Sequence, residues 1–246
     1  MRYTQSFKQT LSSLRASRTF LGVPKRAWVR VLLWSPAALA IYVLSLIVFY
    51  SVINPPLSAF MSSHVLSGGT LKHTWVPMEK ISRHLPIAVI VAEDAKYCSH
   101  NGVDWDAVRL VLSDLEEDRP PRGASTISMQ TVKNLFLWSG RSYVRKSLEV
   151  PLAYITSLFW SKRRMMEIYL NIVEWGPGVY GAEAASRYHF GKTAVALNSH
   201  EAALLAAALP NPIGRRAGRP GPKTRRIGRV VKLRMHGASR FATCLR

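Results

Sequence analysis

Four groups of side chains in this sequence have types and spacings that suit acid–base or anion-binding chemistry. The first contains Glu93 and Asp94, adjacent carboxylates that end an apolar stretch and are followed by an aromatic residue and a histidine. A carboxylate at the end of an apolar helix is partly removed from water, which raises its pKa toward that of a useful base. An ordinary surface pair of acids is the alternative interpretation.

The second group is a glycine turn followed by hydroxyl side chains, in the sequence GASTISMQ at residues 123–130. Ser125 is predicted to cap a helix that runs toward Leu137. The free N–H groups and the dipole at such a helix start favour an anion such as phosphate, and Lys133 lies about two turns further along. A plain capped helix without a ligand is the alternative.

The remaining two groups are shorter. The sequence RKSLE at residues 145–149 places an arginine and a glutamate four residues apart, and therefore on one face of a helix. A solvated ion pair worth only about 0.3–0.5 kcal/mol is the alternative. The sequence EIYLN at residues 167–171 precedes a glycine-rich turn. Its tyrosine and asparagine suit a binding site, but they could equally be a core residue and a helix cap.

The elements that must position these groups are predicted to be helices. Residues 81–210 show helical periodicity and little strand-like alternation. Pro86 suits the first turn of one helix, and Pro151 predicts a break or kink in another. Pro210 ends an alanine- and leucine-rich helix that begins at Ser199. The fold class predicted from these patterns is mainly α.

A separate segment, residues 31–53, contains no charged residue. As a helix it would be about 35 Å long, which is enough to cross a hydrocarbon core of about 30 Å. Seven Lys and Arg residues precede it and few follow closely, so the positive-inside rule places the N-terminus in the cytoplasm and sends residues 54–246 across the membrane. A buried core helix and a cleaved signal peptide are the alternatives, and the length of the uncharged run argues against both.

The formal net charge of +20 is concentrated at the two ends of the chain. Residues 1–30 hold seven Lys and Arg, residues 202–246 hold eleven, and neither range contains an acid. The C-terminal cations have almost no aromatic residues among them, so stacking on nucleic-acid bases is poorly supported. Anionic lipid head groups and plain solvent are the two interpretations of this basic tail. The two cysteines, Cys98 and Cys244, exclude a disulfide framework and allow at most one bridge.

Together and in this order, the four groups resemble the motifs of the monofunctional peptidoglycan glycosyltransferases (glycosyltransferase family 51), relatives of the glycosyltransferase domain of bifunctional penicillin-binding proteins. The resemblance extends from about Trp75 to Pro212. Its motifs are E-D-x-x-Y-x-x-H-x-G at 93–102, G-A-S-T-I-x-x-Q at 123–130, R-K-x-x-E at 145–149 and E-x-Y-L-N at 167–171. Met129 departs from the family, which commonly has a glutamine there, and this puts one amide contact in doubt. Cys98 lies inside the first motif, where no thiol is required, and is interpreted as an incidental thiol open to chemical modification.

The resemblance implies an enzyme that polymerises lipid II into β-1,4 glycan strands and releases undecaprenyl diphosphate by a single inverting displacement. Glu93 is then the general base for the acceptor hydroxyl. Glu149 lies on the donor side and assists the leaving diphosphate, directly or through a divalent cation. The residues expected to contact substrate are Asp94, Ser125, Thr126, Gln130, Lys133, Asn134, Arg141, Arg145, Lys146, Tyr169 and Asn171. No cofactor is required by the sequence, and Mg²⁺ or Mn²⁺ at the diphosphate, with Glu149 as its ligand, is compatible with it.

The resemblance also implies a lysozyme-like α-helical domain behind a single N-terminal transmembrane helix. The expected organisation is a basic cytoplasmic N-terminus (1–30), a transmembrane helix (31–53), a tether (54–80), a glycosyltransferase domain (81–212) and a basic C-terminal tail (213–246). The expected location is the bacterial inner membrane, crossed once, with the catalytic domain on the periplasmic face. The expected partners are lipid II, the growing glycan strand, the bilayer and other cell-wall synthesis proteins, but not nucleic acid.

Two other functions fit parts of the sequence. A lytic, hydrolytic enzyme that cleaves cell-wall glycan also uses paired carboxylates, but it has no need of the cations around residues 133–146. A non-enzymatic membrane scaffold would leave Glu93 and Glu149 dispensable. A zinc site is excluded, because the seven histidines form no H-E-x-x-H motif and the two cysteines are far apart.

Overall fold

The computed structural model describes residues 19–20, 23–119, 123–140, 142–238 and 242–245. The described chain is mainly helical, which confirms the predicted fold class. It divides into two compact units between Phe49 and Tyr50. The second unit holds all four groups of residues that the sequence singled out.

The helices and strands are numbered in chain order. The helices are α1 (Lys25–Tyr50), α2 (Ala59–Leu66), α3 (His84–Glu93), α4 (Trp105–Glu116), α5 (Ile127–Phe136), α6 (Tyr143–Phe159), α7 (Lys162–Ile172), α8 (Ala182–Phe190), α9 (Ser199–Ala208) and α10 (Pro222–Ala238). The strands are β1 (Thr19–Phe20), β2 (Val23–Pro24), β3 (Lys72–His73), β4 (Glu174–Gly176) and β5 (Val179–Tyr180).

The first unit contains the antiparallel pair β1–β2 and nearly all of α1. Helix α1 begins before the predicted membrane segment at 31–53 and ends three residues before the end of that segment. Within the part of the chain that the structure describes, no helix combines the length and the apolar character needed to cross a membrane. Of the predicted basic N-terminus, residues 1–18 and 21–22 lie outside the described residues.

Helices α3 and α9 form the core of the second unit and begin at the same end. Ser82, just before α3, donates its hydroxyl to the carbonyl of Leu197, just before α9, at 2.6 Å. A capping box between Asn198 and Glu201 stabilises the start of α9, and its residues from 202 to 208 are all buried. Because the two helices begin side by side and pack against each other, they run in the same general direction and end toward the same end of the second unit.

Helix α10 packs against both α3 and α9 and runs in the opposite direction. Near its middle, Gly228 lies so close to α9 that a Cβ there would be 2.9 Å from a methyl group of Leu204. Toward its end, Lys232 and His236 line the same cavity as Ser199, the first residue of α9. Helix α10 consequently starts where α3 and α9 end.

Helices α5, α6 and α7 position the second, third and fourth groups of residues. Helix α5 packs against both of the others. Met129 and Val132 of α5 form a buried apolar cluster with Val103 and with Ala153 of α6. Helix α6 continues through Pro151, so the predicted break does not interrupt it. Packing of the helix on both sides of the proline offsets the one backbone hydrogen bond that proline removes.

Two segments predicted as appendages are folded parts of the second unit. Residues 54–80, the predicted tether, contain α2, with its fully buried Met61, and β3, which pairs parallel to β5 in a three-stranded sheet. Residues 213–246, the predicted basic tail, contain α10, whose Val231 and Met235 are buried. The cations of α10 lie on its exposed face, and its few buried residues are separated by them along the sequence. The composition of the segment therefore does not reveal a helix that packs against the core.

A disulfide bond joins Cys98, in the first motif, to Cys244, near the C-terminus. The interpretation of Cys98 as an incidental thiol is therefore wrong. A second contact holds the same segment, because Nη1 of Arg163 donates to the carbonyl of Leu245 at 2.8 Å. The bond joins cysteines 146 residues apart in the sequence, so it restricts the conformations of the unfolded chain and stabilises the fold. Disulfide bonds of this kind persist in oxidising compartments.

We expect replacement of both cysteines, Cys98→Ser with Cys244→Ser, to lower the free energy of unfolding by about 2–5 kcal/mol. Denaturant unfolding of the purified chain without reductant measures this. Reductant should destabilise the parent chain to a similar extent and leave the double variant unchanged. Equal unfolding midpoints for parent and variant would contradict a stabilising disulfide.

Candidate active site

The candidate base, Glu93, is the last residue of α3 and is half-buried. Its carboxylate accepts a hydrogen bond from the side-chain amide of Gln130 on α5, with 2.8 Å between Nε2 and Oε2. The hydroxyl of Tyr169 on α7 in turn donates to the amide oxygen of Gln130 at 2.9 Å. Because Tyr169 is fully buried, its hydroxyl fixes the orientation of the amide and directs the N–H group toward Glu93.

Burial raises the pKa of the Glu93 carboxyl above its ordinary value. The hydrogen bond from Gln130 and the positive charges of Lys133 and Arg215 act in the opposite direction, and the neighbouring charge of Asp94 adds to the rise. A raised pKa makes the ionised carboxylate a stronger base. The environment of Glu93 therefore suits proton abstraction.

Asp94, the second carboxylate of the first motif, faces helix α5 and not the base. Its two oxygens accept from Nε2 of His100 at 2.9 and 3.1 Å, and one of them also accepts from the backbone N–H of Ile127 at 3.0 Å. Asp94 is 7% exposed. Its contacts join the end of α3 to the start of α5, which places Gln130 opposite Glu93.

The hydroxyls of the second motif divide between structure and site. Thr126, and not the predicted Ser125, caps α5: its hydroxyl accepts from the N–H of Met129 at 3.1 Å and donates to the carbonyl of Gly102 at 2.6 Å. Ser125 is left to accept from Nζ of Lys146 at 3.1 Å. The start of α5 is thus connected to the third motif on α6.

The third motif forms an ion-pair cluster around the buried Glu149, which is 1% exposed. One carboxylate oxygen pairs with Nη1 of Arg145, and the other pairs with Nζ of Lys146 at 3.1 Å. Nε of Arg145 also donates to the carbonyl of Gly140 at 2.7 Å. Burying an unpaired carboxylate would be costly, so Glu149 and its two cations hold one another in place.

Lys133 interacts electrostatically with both candidate catalytic acids. Burial lowers the pKa of its ammonium group, Glu149 and Glu93 raise it, and the charges of Arg145 and Lys146 lower it further. A single ammonium group therefore lies within the field of both acids. The predicted base and the predicted donor-side acid thus share one cationic region.

Several predicted substrate contacts are used elsewhere in the fold. The amide of Asn134 donates to the carbonyl of Gln130, one turn earlier in α5, at 2.7 Å. The side chain of Asn171 holds the backbone of Val76, accepting from its N–H and donating to its carbonyl at 2.9 Å each. Arg141 lies outside the described residues. The structure therefore brings together around the two acids these predicted residues: Ser125, Gln130, Lys133, Arg145, Lys146 and Tyr169.

Met129, the departure from the family pattern, has a simple explanation. Its side chain is 1% exposed and belongs to the apolar cluster between α5 and α6. The amide partner of Glu93 is the following residue, Gln130. The substitution therefore does not remove a contact to the base.

Three residues of the site were not predicted from the sequence. His100 is the partner of Asp94. It is a fixed position of the first motif, and that position could have indicated its role. Lys162 donates to the carbonyl of His100 at 2.5 Å and lies over the ring of Tyr97. The charge of Arg215, in the predicted tail, reaches Glu93. Nothing in the local sequence around either cation indicates these distant contacts.

The arrangement gives the two carboxylates different chemistry. Glu93 is held by a neutral amide, which leaves it able to take a proton, whereas the oxygens of Glu149 are occupied by cations. Fixed positive charges of this kind stabilise negative charge that grows on a leaving group. Among the described residues, no group of three or more His, Cys, Asp or Glu side chains is arranged to hold a metal ion.

Comparison with known proteins identifies the family. The family model described as Transglycosylase matches residues 62–236. Three similar proteins carry the description biosynthetic peptidoglycan transglycosylase. That of Rhizobium meliloti is 48% identical and covers 77% of this chain and 80% of its own. That of Brucella suis is 47% identical, covering 85% and 93%, and that of Rhizobium leguminosarum bv. trifolii is 44% identical, covering 94% and 98%. Since both the family model and these relatives span well over half of the sequence, the chain belongs to the transglycosylase family.

Proposed function

We propose that this chain is a peptidoglycan glycosyltransferase that polymerises lipid II into β-1,4 glycan strands and releases undecaprenyl diphosphate. The observation that carries this proposal is the pairing of a half-buried base, Glu93, with a separate cluster of cations around Glu149. The relatives' description as biosynthetic peptidoglycan transglycosylases supports it. Sugar transfer from a lipid diphosphate needs both a base and a receptor for the leaving anion.

In this reaction Glu93 takes the proton of the acceptor's 4-hydroxyl as that oxygen attacks the anomeric carbon of the donor. Gln130 and Tyr169 hold the carboxylate in one orientation, so little reorganisation is needed when the proton moves. The attack and the departure of the diphosphate occur on opposite faces of the sugar. A single displacement therefore inverts an α-linked donor into a β-linked product.

The leaving diphosphate is expected to bind at Lys133, Arg145 and Lys146, with the hydroxyl of Ser125 beside them. The role of Glu149 follows from its ion pairs. It holds Arg145 and Lys146 in position, and its negative charge reduces the repulsion between the two cations. A divalent cation with Glu149 as ligand stays a prediction.

The lytic alternative gains no support from the comparisons, since the three relatives are all described as biosynthetic. A glycan-cleaving enzyme activates water and releases a sugar, so it has no use for a cluster of cations around a buried carboxylate. A pure scaffold would have no reason to bury Glu149 among them.

The proposed membrane attachment rests on residues 31–53 and on the location of the lipid substrate. Tethering the enzyme to the surface that carries lipid II raises its effective concentration without new contacts. We place the second unit on the periplasmic side, where a disulfide bond is stable. The bilayer and other cell-wall synthesis proteins remain the expected partners.

We expect Glu93→Gln to abolish polymer formation from labelled lipid II, because the amide retains the shape of the side chain but cannot take a proton. Product sizing on gels measures polymer, and thermal unfolding checks that the variant is folded. Glu79→Gln, at an exposed acid on the surface, is the matched control and should retain activity. Polymer formation by folded Glu93→Gln would remove Glu93 from the role of base.

The pH dependence provides a second prediction. Because the base acts when ionised and burial raises its pKa, kcat/KM should rise with pH through a value above the ordinary pKa of glutamate. Gln130→Leu removes a hydrogen bond that favours the ionised form, so this acidic limb should move to higher pH. Initial rates across pH measure it; a limb that moves to lower pH would contradict the assigned contact.

For the membrane attachment, we expect the full chain to remain in the membrane fraction after carbonate extraction and a chain lacking residues 1–53 to be released. Protease added outside spheroplasts should digest the second unit and spare a tag at the N-terminus. Release of the full chain by carbonate would contradict a spanning anchor.

A further inference from the structure

The loop between α9 and α10, residues 209–221, lies at the end of the core where Glu93 is located. Helices α3 and α9 begin side by side, where Ser82 contacts Leu197, and they pack against each other, so their last residues lie toward the same end. Glu93 is the last residue of α3, and the loop follows directly from the last residue of α9. The loop therefore borders the base side of the cleft, and the charge of Arg215 reaches Glu93.

Contacts with α8 fix this loop in place. The N–H of Gly218 donates to Nδ1 of His189 at 3.1 Å, and a Cβ at Gly218 would lie only 2.4 Å from the carbonyl oxygen of His189. The neighbouring Ala217 is fully buried. A cation carried by the loop is therefore presented from a rigid support.

Arg215 is held by the end of α9 and by its own loop, and neither neutralises its charge. Nη1 donates to the carbonyl of Ala207 at 3.1 Å, and the backbone N–H donates to the carbonyl of Asn211 at 2.8 Å. Residues 202–246 contain no Asp or Glu, and Glu93 accepts from Gln130. Since a guanidinium has five N–H donors, donors remain for an anion.

The proposed reaction brings two lipid diphosphates to one cleft: the group that leaves the donor and the group that stays on the acceptor. Arg145 and Lys146 pair with Glu149, on the donor side, and Lys133 interacts with both acids. The acceptor must approach Glu93, on the other side, and its diphosphate also needs positive charge. Arg215 is a cation from a different element on that side.

We propose that Arg215 binds the diphosphate of the acceptor and thereby places the acceptor hydroxyl at Glu93. The planar guanidinium can donate two parallel hydrogen bonds to one phosphate, which positions as well as attracts it. This role is distinct from that of the donor-side cations, because it concerns the group that remains bonded to its sugar. The inference rests on the proposed function.

Donor and acceptor kinetics of the full chain have to be measured separately to test this. A labelled lipid-linked disaccharide that lacks the attacking 4-hydroxyl can act only as donor, so its coupling to varied lipid II reports the KM of the acceptor. We expect Arg215→Ala to raise the acceptor KM about tenfold to a hundredfold, with a much smaller change in the donor KM. Arg215→Lys should recover part of the loss, and Lys146→Ala, beside Glu149, should raise the donor KM instead.

Arg216→Ala is the matched control, because it removes one charge from an exposed neighbour in the same loop. It should behave as the parent, and thermal unfolding should show that each variant is folded; if Arg215→Ala is not, Arg215→Lys carries the comparison. An unchanged acceptor KM in Arg215→Ala, an equal loss in Arg216→Ala, or equal increases in both KM values would overturn the proposal. Failure of the parent chain to couple the two substrates would instead reject the proposed function itself.

Discussion

The cleft depends on one constraint: a carboxylate must remain free to take a proton while cations that bind a diphosphate lie close by. A direct ion pair would favour the ionised form of the base and occupy the oxygen that must accept the proton. The fold gives Glu93 a neutral partner, Gln130, and gives Arg145 and Lys146 a carboxylate of their own, Glu149. Two acids thus acquire two roles from their surroundings.

The surrounding structure maintains this separation. Tyr169 orients the amide of Gln130, and Asp94 joins the end of α3 to the start of α5, so the base and its partner remain opposed. The disulfide to Cys98 and the contact of Lys162 with His100 hold the segment that follows the base. Polar residues that could contact substrate therefore hold the reacting groups in place instead. This is why the motifs contain more residues than those that react.

Spacing in the sequence predicted the local part of this arrangement. Arg145 and Glu149 share a helix face because they are four residues apart, and the end of an apolar helix gave the environment of Glu93. Distant interactions had no such signal: the Cys98–Cys244 bond spans 146 residues, and the charge of Arg215 reaches Glu93 only because α9 packs beside α3. The direction of a side chain also could not be predicted. The sequence around Asp94 would be the same whether its carboxylate faced the cleft or, as it does, the start of α5.

The most direct test of the account is a titration of the Glu93 carboxyl, followed by carbon-13 NMR, with and without inorganic diphosphate. We expect the pKa of Glu93 to lie above its ordinary value in the free protein and to rise further when diphosphate binds the cations, because the added negative charge opposes ionisation of a nearby acid. A Glu93 titration that is unaffected by bound diphosphate would mean that the base and the cations do not share a site.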